Sequence, residues 1–148
     1  MFSHRLFFLA AALLLSGCTS RSSNSNLPPL VKVTGTVSYQ GQLIEGADVT
    51  FNNVEAGYTA VGKTDASGKF VLTTEGEEGV VAGKQVVAIR RVDVIDNTPA
   101  GVDVSAGGVA TPPTIRWIVP ENYSIPTTSG LTAEVSSGGP QEIPFDLK

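Results

Sequence analysis

Apolar side chains recur at every second position over most of this chain, and each such run is short. Val31, Val33, Gly35, Val37 and Tyr39 alternate with Lys32, Thr34, Thr36 and Ser38. Successive side chains of a strand point to opposite faces, so this segment predicts a strand with one buried and one wet side. Gln40-Gly41-Gln42 turns the chain, and Ala47, Val49 and Phe51 then alternate with Asp48, Thr50 and Asn52. Tyr58 to Thr64 predicts a third strand, and Asp65-Ala66-Ser67-Gly68 a tight turn. Lys69 to Thr74 follows, with Phe70 and Leu72 on one face, and closes a hairpin with the strand before it. Lys84 to Val94 carries Val87 and Ile89 on one face and Val86, Ala88 and Val92 on the other, which predicts a central strand.

Residues 95–113 hold three prolines and little periodicity, and are expected to form an extended loop. Beyond them Ile115, Trp117 and Val119, then Leu131, Ala133 and Val135, then Ile143, Phe145 and Leu147 each keep a period of two. Pro144 places the last of these at an edge, because proline cannot donate to a ladder. Val, Ile and Thr contribute 39 residues, whereas Leu contributes 6 after the N-terminal segment. Stiff, branched side chains favour strands, and no ten-residue stretch keeps a helical spacing free of Gly or Pro. Seven or eight strands in residues 30–148 imply an all-β fold of two packed sheets.

Residues 1–17 have a different pattern. Arg5 precedes an unbroken apolar run from Leu6 to Leu15, and Leu15-Ser16-Gly17 leads into Cys18. Ten residues of helix rise about 15 Å, half of a hydrocarbon core of about 30 Å, so this run is read as a signal segment. It resembles a bacterial lipoprotein signal, with Leu15, Ser16 and Gly17 as the lipobox. That resemblance implies cleavage before Cys18, diacylglycerol on its thiol, and anchoring to the membrane by acyl chains. Thr19 rather than Asp follows the Cys, which by resemblance to sorting rules implies the outer membrane rather than the inner. Residues 18–29, CTSRSSNSNLPP, supply the lipidated Cys and a polar tether that reaches about 40 Å at full stretch.

Several function classes are excluded by inventory. The one His, one Cys and one Met are His4, Cys18 and Met1, all inside the first 18 residues. The remainder can build neither a Ser-His-Asp nor a Cys-His site, nor a Cys/His zinc centre, nor an internal disulfide. A formal charge of −4 gives no basic surface for nucleic acid, and no cofactor is expected.

The strings Val33-Thr34-Gly35-Thr36-Val37, Gly41 to Phe51 and Thr64-Asp65-Ala66-Ser67-Gly68-Lys69-Phe70 together resemble carboxypeptidase regulatory-like domains. Gly83-Lys84, Pro120 to Tyr123 and Thr128 to Thr132 are similar to a small bacterial lipoprotein branch of that family. The resemblance implies a transthyretin-like (prealbumin-like) β-sandwich and a non-catalytic stability, adhesion or recognition module. Gln85 stands where that family often has an aromatic, and the 95–113 loop is longer than is typical of it.

Candidate sites are few. Asp65 to Gly68 could offer oxygens to calcium, but an Asx-type turn accounts for the same residues. Glu75, Glu77 and Glu78 read as a solvated acidic loop, and Arg90 and Arg91 as charges on opposite faces. Trp117 is in phase with Ile115 and Val119 and is expected in the core, although Trp117 with Tyr123 could instead form an aromatic platform. The expectation is a membrane-anchored, non-enzymatic lipoprotein of the cell envelope that works as a structural or protein-interaction module. The alternative is a glycan- or peptide-binding module that uses the 95–113 loop or the Trp117/Tyr123 region.

Overall fold

The computed structural model describes residues 26–148. Cys18, the lipobox and most of the tether lie outside the described residues. The chain is an all-β sandwich. One sheet is antiparallel throughout and runs in the order Leu131–Val135, Gly83–Arg90, Asp48–Asn53, Tyr58–Lys63, Thr73–Thr74 and Glu77–Glu78. The other is centred on Val33–Tyr39, which pairs with Lys69–Val71 and Gln42–Leu43 in antiparallel fashion and with Gln141–Glu142 and Phe145–Leu147 in parallel. Leu30–Val31 pairs separately with Val80–Val81.

The inward faces are those that the alternation predicts. Val33 and Val37 from one sheet and Val49, Phe51, Val87 and Ile89 from the other are fully buried. Phe51 meets Phe145 edge-on at 5.9 Å between ring centroids and Phe70 at 6.4 Å, so three phenylalanines join the two sheets. At the end of the core near the N-terminal strand, the buried Gln85 donates through Nε2 to the carbonyls of Val81 (2.9 Å) and Gly83 (3.1 Å). Asn53 donates to Ala82 O at 3.0 Å beside it. An aromatic at position 85 could not satisfy these carbonyls, and leaving buried ones unpaired costs about 1–3 kcal/mol each. Gln85 is thus the polar pin of the corner through which the chain enters its central strand.

Two expectations are corrected. Tyr58–Lys63 and the segment after the Asp65 turn do not make a simple hairpin. Lys69–Val71 pairs with Val33–Tyr39 in the opposite sheet, and only Thr73–Thr74 returns to pair with Ala60 and Val61. Phe70 and Leu72 stay in the shared core throughout, so the side-chain period does not record that the backbone partner changes. Second, the strand that begins at Gly83 ends at Arg90, and Val92–Ile95 forms a separate two-stranded ribbon with Thr114–Trp117.

Pro144 lies at an edge as predicted. Gln141 faces Val33 and Phe145 faces Val37, so one register continues across Ile143 and Pro144. The Ile143 N–H donates to Thr34 O at 2.8 Å, and the Ile143 carbonyl turns over Gly35. A Cβ on Gly35 would run into that carbonyl oxygen and lie 2.6 Å from Phe70 Cζ. The first hairpin turns on Gln40 and Gly41, both at positive φ (50° and 78°), a type I′ geometry that suits the twist of the flanking strands.

Gly35→Ala therefore tests the edge packing. It should lower unfolding stability by roughly 2–3 kcal/mol, because a backbone atom cannot step aside as a side chain can. Urea denaturation reads the change, and a midpoint equal to that of the parent would contradict the close approach.

Candidate functional site: a projecting β-ribbon

At Arg91 the chain leaves the large sheet. The Arg91 carbonyl accepts from the N–H groups of Ile118 (3.0 Å) and Val119 (3.3 Å), which pinches the neck of an arm comprising Val92–Ile95, the loop 96–113 and Thr114–Trp117. Val92 faces Trp117 and Val94 faces Ile115, so these four side chains share one face of the ribbon. Asp93 faces Arg116 on the other. Val94 is 63% and Ile115 50% exposed, whereas the inward-facing Val33, Val37, Val49 and Val87 of the sandwich are fully buried.

Trp117 consequently does not join the core. It is half-buried, and among the three in-phase residues only Val119 is enclosed. Periodicity identified the shared face correctly, but no second sheet lies over the ribbon. The guanidinium of Arg90 sits 5.8 Å from the centroid of the Trp117 ring and covers it in a cation–π contact. Tyr123 is elsewhere engaged: its hydroxyl donates to Lys148 O at 3.1 Å and accepts from Lys148 N at 3.3 Å. Trp117 and Tyr123 thus have separate partners.

The charged face of the ribbon is closed by one carboxylate. Asp93 Oδ1 pairs with Arg91 at 2.7 Å and Oδ2 with Arg116 at 2.6 Å. Arg91 Nε also donates to Glu45 O at 2.8 Å, which ties the arm back to the sandwich. The hydrogen bond from Arg116, followed by that from Arg91, holds the Asp93 carboxyl below its ordinary value. Arg90 and Arg91 do point apart, as expected, and among the described residues Arg90 makes no ion pair.

The loop from 96 to 113 is organised by its own polar groups. Asp103 Oδ1 accepts from Ser105 N (2.9 Å), Ser105 Oγ (2.5 Å) and Ala106 N (3.2 Å), capping the short 3₁₀ turn Val104–Ala106. Asp96 Oδ1 accepts from Thr98 N at 2.9 Å, and Asn97 Nδ2 donates to Pro112 O at 2.9 Å and Thr114 Oγ1 at 2.8 Å. Val104 and Val109 nevertheless face solvent.

The other sequence candidates resolve differently. Asp65 Oδ1 accepts from Ser67 N (2.8 Å), Ser67 Oγ (2.7 Å) and Lys69 N (3.0 Å), an Asx-type turn whose hydrogen bonds, that from Ser67 Oγ foremost, lower the Asp65 pKa. Among the described residues no three Asp, Glu, His or Cys side chains gather in a metal-binding group. Glu75 and Gly76 form the turn between Thr73–Thr74 and Glu77–Glu78, and Glu78 pairs with Lys32 at 2.9 Å. A shallow trough of about 550 Å³ on the outside of the large sheet is floored by Thr50, Val61 and Thr73.

No family model, no curated protein and no solved structure matches the chain. The sequence shows the two halves of the arm but not their pairing. Asp93 and Arg116 stand centrally in two short alternating runs, a cross-strand charge pair that could have suggested their pairing.

The pH dependence of the arm follows from Asp93. Its folded pKa is lowered, so its stabilising contribution is complete above its ordinary value of about 3.8 and is lost as pH falls through the folded value. Trp117 is the single tryptophan and reports the ribbon directly. Its emission should shift to the red on acidification below that range, and Asp93→Asn should give the shifted spectrum already at neutral pH. An acid-insensitive spectrum in the parent chain would contradict the role assigned to Asp93.

Proposed function

We propose that this chain is a membrane-anchored, non-catalytic lipoprotein of the cell envelope whose sandwich carries the ribbon as a protein-interaction arm. The observation that carries the reading is the relative position of tether and arm. Leu30–Val31, where the tether ends, pairs with Val80–Val81 next to the start of the central strand Gly83–Arg90, and the arm departs from the other end of that strand. Eight residues of strand at about 3.3 Å each separate the two by roughly 25 Å. A tethered domain built this way is attached at one end of its central strand and presents its apolar ribbon at the other.

The resemblance to a carboxypeptidase regulatory-like, transthyretin-like domain is part of the same proposal, and the two-sheet all-β architecture supports it. Acyl chains on Cys18 would supply the anchor at about 0.8 kcal/mol per buried CH₂, with residues 18–29 as the spacer and Thr19 favouring the outer membrane. Capture of a glycan or peptide on a Trp117/Tyr123 platform is less well supported, because Arg90 covers the one ring and Lys148 engages the hydroxyl of the other.

Anchoring is tested by fractionation. Cys18→Ala should move the protein from the membrane pellet to the soluble fraction without changing its unfolding midpoint. A variant that still sediments with membranes would overturn the lipoprotein reading.

A further inference from the structure

The arm, taken from Arg90 to Trp117, is electrically neutral but polarised. Its base carries Arg90 on the apolar face, in phase with Val92 and Val94, and on the opposite face Arg91 and Arg116 against the single carboxylate of Asp93, an excess of two positive charges of which Arg90 lies on the face to be covered. Its loop carries Asp96 and Asp103, and residues 95–113 contain neither Lys nor Arg, an excess of two negative charges. Both loop carboxylates spend Oδ1 on the loop backbone and keep their charge; the hydrogen bonds of Thr98 to Asp96 and of Ser105 to Asp103 lower their pKa values. Between the two charged ends runs the apolar face of Val92, Val94, Ile115 and Trp117, of which Val94 and Ile115 are at least half exposed.

An isolated two-stranded ribbon is marginal in water and gains stability when its apolar face is covered. We infer that the cover is the arm of a second copy of this chain, packed face to face in antiparallel orientation so that the cationic base of each arm meets the anionic loop of the other. Only that orientation satisfies both features. A parallel arrangement would stack base on base and loop on loop, setting like charges together, whereas a two-fold axis through the middle of the ribbon pairs opposite ends twice. The apolar stripe then meets its own equivalent, which matches it in length and chemistry. This inference rests on the reading of the arm as an interaction surface and names its partner.

The face is small, so the dimer is weak in solution, with a Kd on the order of 10–100 µM. Tethering both copies to one membrane raises their effective concentration, which is how a contact of this size is populated on a surface.

Sedimentation equilibrium of the full chain in density-matched detergent, from about 1 to about 300 µM, tests the inference. A monomer–dimer equilibrium is expected, weakened about tenfold between roughly 0.05 and 0.5 M salt. Asp96→Asn with Asp103→Asn keeps the side-chain acceptors while removing the charge, and should weaken association about tenfold; Arg90→Gln should do the same. Val94→Thr with Ile115→Thr should abolish it, while Glu75→Gln, on the far hairpin, should leave it unchanged. Unfolding of each variant by urea checks that the sandwich persists. A chain that stays monomeric across this range, or a dimer indifferent to both the Asn and the Thr pairs, overturns the inference. A benzophenone side chain placed at position 94 in cells separates the two levels. Crosslinks to a second copy support the inference, crosslinks only to another polypeptide overturn it while leaving the interaction arm standing, and no crosslink at all overturns both.

Discussion

Contact among Phe51, Phe70 and Phe145 is the constraint on which the rest of the domain depends. Phe51 belongs to the antiparallel sheet, and Phe70 and Phe145 flank Val33–Tyr39 in the other. The strand containing Phe70 reaches this contact by crossing between sheets, and Phe145 reaches it by a parallel return of the chain end. The C-terminal strand is therefore part of the core. Gly35 allows the Ile143 carbonyl to approach, which lets the strand keep one register on both sides of Pro144. With the two sheets joined in this way, the central strand Gly83–Arg90 becomes a fixed support, with the N-terminal strand at one end and the ribbon at the other.

The polar groups inside the sandwich serve the same end. Thr64 Oγ1 accepts from Ala47 N at 2.7 Å and Thr74 Oγ1 donates to Gly79 O at 2.7 Å, both at places where the chain turns between sheets. Gln85 and Asn53 secure the carbonyls at the other corner. Each is a buried side chain hydrogen-bonded to backbone where strands begin or end. None of them faces the arm, so fold maintenance and surface presentation rest on different residues.

Alternation in Val33–Tyr39 and Asp48–Asn53 identified the buried faces directly, because hydrophobic burial acts on every second residue. It could not show where Leu72 changes sheet, since both sheets share one interior and the side-chain pattern passes through the crossing unchanged. Trp117 departs from the expected core position for a related reason: a period of two says which residues share a face and is silent on whether anything lies over it. The pairing of Val94 with Ile115, 21 residues apart across a proline-rich loop, is a tertiary outcome of the neck at Arg91 and of the Asp93–Arg116 pair. The proposed lipobox before Cys18 rests on local sequence alone.

The central claim is that the sandwich is a complete scaffold and the ribbon an appended interaction surface. The most direct measurement replaces Val92–Trp117 with a two-residue Asn-Gly turn between Arg91 and Ile118, and follows amide hydrogen exchange over Gly83–Arg90 together with urea unfolding and sedimentation. The account predicts that protection of the central strand and the unfolding midpoint are retained while self-association is lost. Loss of protection in Gly83–Arg90, or a shortened chain that still dimerises, would contradict it.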